Sequence, residues 1–132
     1  MKNILTLSII ALLLFSCSKD DNDSNKTSSY EGNWSGTFEG TYDIGTWLVN
    51  INSKGEVNGS GTSTFYNSTF QLEGNVNDSG EYKAIFNTTR NTNFGPISVY
   101  GEFKGQLSGK SATGYWTQHS FGDGGYWVGD KQ

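Results

Sequence analysis

The chain is predicted to be all-β: a small antiparallel up-and-down barrel of about eight strands, following a signal peptide and a disordered tether. Three observations lead there. From Trp34 onward, apolar and polar residues alternate with a period of two in segment after segment, as strands with one buried face do. The same region is rich in Gly, Ser, Thr, Asn and aromatics and holds the only proline, a composition that favours strands and tight turns. Short turn signals join the segments, so sequence neighbours are expected to pair. A long meander with one apolar face most simply closes on itself, which removes both open edges. Two packed sheets are the alternative.

The strands follow in order. Trp34, Gly36, Phe38, Gly40 and Tyr42 share the inward face of the first, and Trp47, Val49 and Ile51 that of the second. Val57, Gly59, Gly61, Ser63 and Phe65 line the third; Phe70, Leu72, Gly74 and Val76 line the fourth. Tyr82, Ala84 and Phe86 follow, then Ile97, Val99, Gly101, Phe103, Gly105 and Leu107, then Ala112, Gly114 and Trp116, and finally Trp127. Asn52-Ser53-Lys54-Gly55-Glu56 and Asn77-Asp78-Ser79-Gly80-Glu81 repeat one pattern, N-x-x-G-E. Each suits a three-residue hairpin loop with Gly in the left-handed region. These loops pair Ile51 with Val57 and Val76 with Tyr82. A two-residue turn at Gly109-Lys110 sets Phe103 opposite Trp116. The longest break, residues 89–96, holds Arg90, Phe94 and Gly95 and is expected at a barrel mouth.

The N-terminus reads differently. Lys2 precedes an apolar run over residues 4–15, shorter than the roughly 20 residues a membrane-spanning helix needs. Leu14-Phe15-Ser16-Cys17 resembles a bacterial lipobox, with Leu at −3, a small residue at −1 and Cys17, the only cysteine, at +1. The resemblance implies a lipid on Cys17 and anchorage in the outer membrane; two acyl chains hold a protein stably on a bilayer. The acidic residues that follow, Asp20, Asp21 and Asp23, resemble the export signal of lipoproteins that reach the outer surface of Gram-negative cells. The expected division is a signal peptide over 1–16, a lipidated disordered tether over 17–29 and the barrel over 30–132.

Within the barrel, Gly32-Asn33-Trp34, Gly45-Thr46-Trp47 with Lys54-Gly55 and Gly59, and Thr113-Gly114-Tyr115-Trp116 resemble strands of avidin-like and lipocalin-like barrels. The resemblance implies the architecture. Where the avidin pattern has a biotin-binding Asn two positions after the first Trp, this chain has Gly36, so biotin is not an expected ligand. Gly101-Glu102-Phe103-Lys104-Gly105-Gln106-Leu107 resembles barrel strands of Gram-negative surface lipoproteins that capture host proteins.

Function narrows by exclusion. The formal charge is −4, and residues 1–16 contain one base and no acid, so their removal makes the chain more negative. Nucleic acid is therefore not an expected partner. Arg90 is the only arginine and His119 the only histidine. His119 with Asp123 lacks a positioned nucleophile, and no His or Cys cluster has metal-ligand spacing. No catalytic residue, metal or cofactor is assigned. The inward glycines either let aromatic side chains fill the interior or hollow it into a cavity, with Trp34, Trp47, Phe103 and Trp116 as the candidate pocket wall. Eight-stranded barrels are just wide enough to be filled, which favours the first. Ile85, Tyr100, Tyr115 and Tyr126 point outward on neighbouring strands and form the candidate partner surface. The expected function is a surface-exposed, non-catalytic binding module for a protein, glycan or small apolar ligand. The alternative is an inhibitor or immunity-type barrel acting through loops such as 89–96 and 120–124.

Overall fold

The computed structural model describes residues 28–132. The expected lipidation site Cys17, the expected signal peptide over 1–16 and the expected tether over 17–29, apart from Ser28 and Ser29, lie outside the described residues. Eight strands, β1 (Gly32–Gly40), β2 (Ile44–Ile51), β3 (Glu56–Ser63), β4 (Ser68–Val76), β5 (Glu81–Thr92), β6 (Gly95–Ser108), β7 (Ser111–Gln118) and β8 (Asp123–Lys131), follow one another without a helix. Each pairs antiparallel with its sequence neighbour, and the sheet closes into a barrel. Closure joins β1 to β8 from Trp34 opposite Lys131 to Gly40 opposite Gly125.

The hairpin register is the one the turn signals predict. Ile51 faces Val57, Val76 faces Tyr82 and Phe103 faces Trp116. Gly55 and Gly80 adopt φ of 80° and 84°, the left-handed conformation that only glycine takes without steric cost.

Three expectations are corrected. Tyr42 and Phe65 do not face inward; both are exposed, because β1 ends at Gly40 and β3 at Ser63 and the turns beyond them break the alternation. Ser63 is buried at the end of β3 as expected, and Asp43, in the turn just before β2, is buried too. Residues 89–96 are not an irregular break. The ladder continues through Arg90 opposite Ile97 and Asn91 opposite Pro96 to Thr92 opposite Gly95. Only Asn93 and Phe94 make the turn.

The two ends of the barrel differ. One is closed. There Trp34, Ile51, Leu72, Leu107 and Trp127 are fully buried, and Tyr30 packs against them. Every indole N–H in the barrel meets a backbone carbonyl: Trp34 on Tyr30 (2.8 Å), Trp47 on Thr37 (3.3 Å), Trp116 on Glu39 (3.2 Å) and Trp127 on Lys104 and Tyr115 (both 3.1 Å). Buried tryptophans need such a partner. Rings also occupy the space the glycines leave. A Cβ at Gly114 would lie 2.6 Å from Trp127, and one at Gly101 2.6 Å from Phe86. The glycines therefore fill the barrel by admitting rings rather than hollow it, at roughly 1.5–3 kcal/mol of burial for each large apolar side chain.

Candidate functional site

Alternation along each strand carries the chain between the two ends. Residues 52–55, 77–80 and 109–110 turn at the closed end, and residues 41–43, 64–67, 93–94 and 119–122 at the other. The closed-end turns hold only polar residues and glycine. Each open-end loop carries an exposed aromatic: Tyr42, Phe65, Phe94 and Phe121. Phe94 is 101% exposed at the tip of the long β5–β6 hairpin. These rings form a crown around the mouth.

Under the crown lies a cup of about 30 Å³. Its floor is Phe38, Phe70, Phe86, Phe103 and Trp116, meeting edge-to-face, tilted or, where Phe103 meets Phe70 and Trp116, stacked. Phe38 stands 5.3 Å from Trp116 and Phe70 5.1 Å from Phe86, between centroids. Asp43, Ser63, Thr88, Arg90 and Gln118 rise above the floor. Their placement follows from strand parity, since each occupies or adjoins an inward position at the open end of its strand.

The polar groups of the cup are unequally satisfied. Ser63 Oγ donates to Asp43 (2.6 Å) and accepts from the Tyr66 N–H (3.1 Å). Burial raises the Asp43 pKa; the hydrogen bonds from Ser63 and the Ile44 N–H oppose it, Asp123 adds to it, and Arg90 lowers it. Asp123 accepts from the backbone N–H groups of Thr41 and Tyr42 (both 3.2 Å) and Gly124 (2.8 Å). It thereby ties the β1–β2 loop to the start of β8. Arg90 lies over the Tyr66 ring at 3.4 Å and 5.4 Å from Phe121. Gln118 is buried, and its Oε1 has no partner.

Of the four predicted pocket residues, Phe103 and Trp116 line this cup, whereas Trp34 and Trp47 do not. Trp47 stacks edge-to-face on Trp127 at 5.5 Å. On the outer wall, Tyr115 and Tyr126 are cross-strand partners with rings 4.8 Å apart. Tyr100 packs on His119 at 5.6 Å. Ile85 lies opposite Glu102, whose carboxylate meets Lys83 at 3.8 Å and Lys104 at 3.2 Å. That charged group stands between Ile85 and the Tyr115–Tyr126 pair. All four side chains are exposed.

His119 points outward and Asp123 inward, so the two make no dyad. Among the described residues, no three His, Cys, Asp or Glu side chains form a group that could hold a metal. Sequence reasoning missed the crown, Asp43 and Gln118. The signal for the crown was present, an aromatic in every second turn region, but it needed strand parity to show that those turns share one end. No known protein family matches the chain, and no match was found among curated proteins or solved structures.

Proposed function

We propose that the chain is a non-catalytic binding module, held on the outer membrane through lipid on Cys17, that engages its partner with the open end of the barrel. One observation carries the reading: all four open-end loops present an exposed aromatic, and none of the closed-end turns does. Large exposed rings gathered on one rim mark interaction surfaces. Orientation agrees. Ser28 enters at the closed end, where its N–H donates to Ser53 O at 2.6 Å, so a chain anchored at Cys17 presents its mouth away from the membrane. The residues between Cys17 and Ser28 allow a reach of at most roughly 35–40 Å.

The experiment compares two double variants of the full chain as bait against cell envelope and host fluid. Phe65→Ser with Phe94→Ser strips the crown; Tyr115→Ala with Tyr126→Ala strips the outer wall. Partner recovery is expected to fall about tenfold or more in the first and to hold in the second. The reverse result removes the open end as the binding surface.

One observation favours a second reading, that of an inhibitor-type barrel. The β5–β6 hairpin carries Phe94 beyond the other strands, as a probe inserted into a cleft would require. Loss of the partner on Phe94→Ser alone, with Phe65→Ser neutral, selects this reading over a broad rim contact.

A further inference from the structure

We propose that the cup under the crown takes the acetamido group of an N-acetylated saccharide, an inference that rests on the open end being the binding end. Hydrogen-bond accounting comes first. Gln118 is 6% exposed, lines the cup and leaves Oε1 without a partner. Native structures leave few such groups, and each weakens the fold unless a ligand or water completes it. Arg90 lies 3.4 Å over the Tyr66 ring and 5.4 Å from that of Phe121, and among the described residues no carboxylate forms an ion pair with it. Its planar fork of donors is oriented and free. The two carboxylates at this end are already engaged, Asp43 by Ser63 and Asp123 by three backbone N–H groups.

The unused capacity is therefore one acceptor and one set of donors. Buried Asp43 and Asp123 disfavour an anion, and Arg90 disfavours a cation. A neutral group that both donates and accepts remains. Size narrows it further: 30 Å³ holds about two waters at roughly 10–15 Å³ each, or two to three heavy atoms. An acetyl group has that size. Its methyl meets Phe103 and Trp116, its carbonyl accepts from Arg90, and the amide N–H donates to Gln118 Oε1. The remainder of the ligand lies outside, against Tyr42, Phe65 and Phe121. Such rings stack on the apolar face of a sugar, and their spread around the mouth suits a broad ring better than the thin stem of an acetylated lysine.

The test titrates the full chain, in detergent, with N-acetylglucosamine and its short oligomers, with glucose, and with an acetyl-lysine peptide. Saturation-transfer NMR reads the contact group, and tryptophan emission reads the affinity. The acetyl methyl is expected to receive the strongest saturation, and glucose to bind about tenfold more weakly. Gln118→Leu is expected to weaken the oligomers about tenfold while raising the unfolding midpoint, because it removes an unpartnered amide; a structural role alone gives no such opposition. Arg90→Gln, at a half-exposed position, gives the same loss of affinity should Gln118→Leu fail to fold. The proposal is overturned by equal affinity for glucose, by no saturation of the acetyl methyl, by preference for the acetylated peptide, or by a Gln118→Leu variant that is less stable or binds normally. Should the crown variant still lose its partner in those cases, the open-end reading stands without the saccharide.

Discussion

Asp43 ties burial, charge and pH together at a single residue. Burial, with Asp123 adding to it, holds its pKa above the ordinary 3.8 despite the hydrogen bond from Ser63. The folded state then keeps a proton that the unfolded chain has lost. The contribution of this group is fully present at low pH and declines as pH rises past 3.8, until the folded carboxyl ionises. Asp43→Asn keeps an acceptor for Ser63 and carries no charge. Denaturant unfolding is expected to find the variant equal to the parent near about pH 3 and more stable at neutral pH. A parent that is the more stable at neutral pH would show that the ionised carboxylate stabilises the mouth. Sequence alone did not single out Asp43, because it follows a turn where alternation is interrupted. Tyr42 and Phe65 were misread for the same reason: parity assigns faces only while the strand lasts.

At the scale of elements, the closed-end hairpins are the most legible part of the chain. In both N-x-x-G-E turns the Asn side chain caps the loop. Asn52 Oδ1 accepts from the N–H groups of Lys54 (3.0 Å) and Glu56 (2.9 Å), and Asn77 Oδ1 from those of Ser79 and Glu81 (both 3.0 Å). Such local side-chain bonds are why Asn starts turns. Asn77→Ala removes both of its bonds and the one its Nδ2 donates to Glu81 (2.7 Å) at an exposed site, so the loss is expected to be about 1 kcal/mol in chemical denaturation, with the native dichroism retained. A loss within error would assign the register to Gly80 and the strand pairing alone. The β5–β6 hairpin was the least legible element. Asn91, Asn93, Gly95 and Pro96 are loop-formers by composition, yet the ladder runs on to Thr92 and Gly95. Pairing with a neighbour outweighed local preference there.

For the whole molecule, closure matters most. Joining β1 to β8 leaves no open edge in the barrel and brings loops distant in sequence into one crown. It also separates the end where the chain enters from the end where the rings stand. The anchor is testable at this scale. Cys17→Ala is expected to move the protein from the membrane fraction to the soluble fraction, with circular dichroism and unfolding midpoint unchanged, since the barrel core is built from residues 30–127. Membrane retention by the variant would overturn Cys17 as the attachment point.

By itself the sequence determined that this chain is all-β and antiparallel, the register of three hairpins, and most of the side chains that occupy its core. Those features depend on period-two alternation and on turn chemistry, both local. Whether the inward glycines would hollow the interior was settled only by tertiary packing, because the rings that cover them come from other strands: Trp127 of β8 lies on Gly105 of β6 and Gly114 of β7. The crown, the cup and the unpartnered amide of Gln118 likewise arise from strand ends and loops far apart in the chain. Only closure of the sheet brings them together at one end of the barrel.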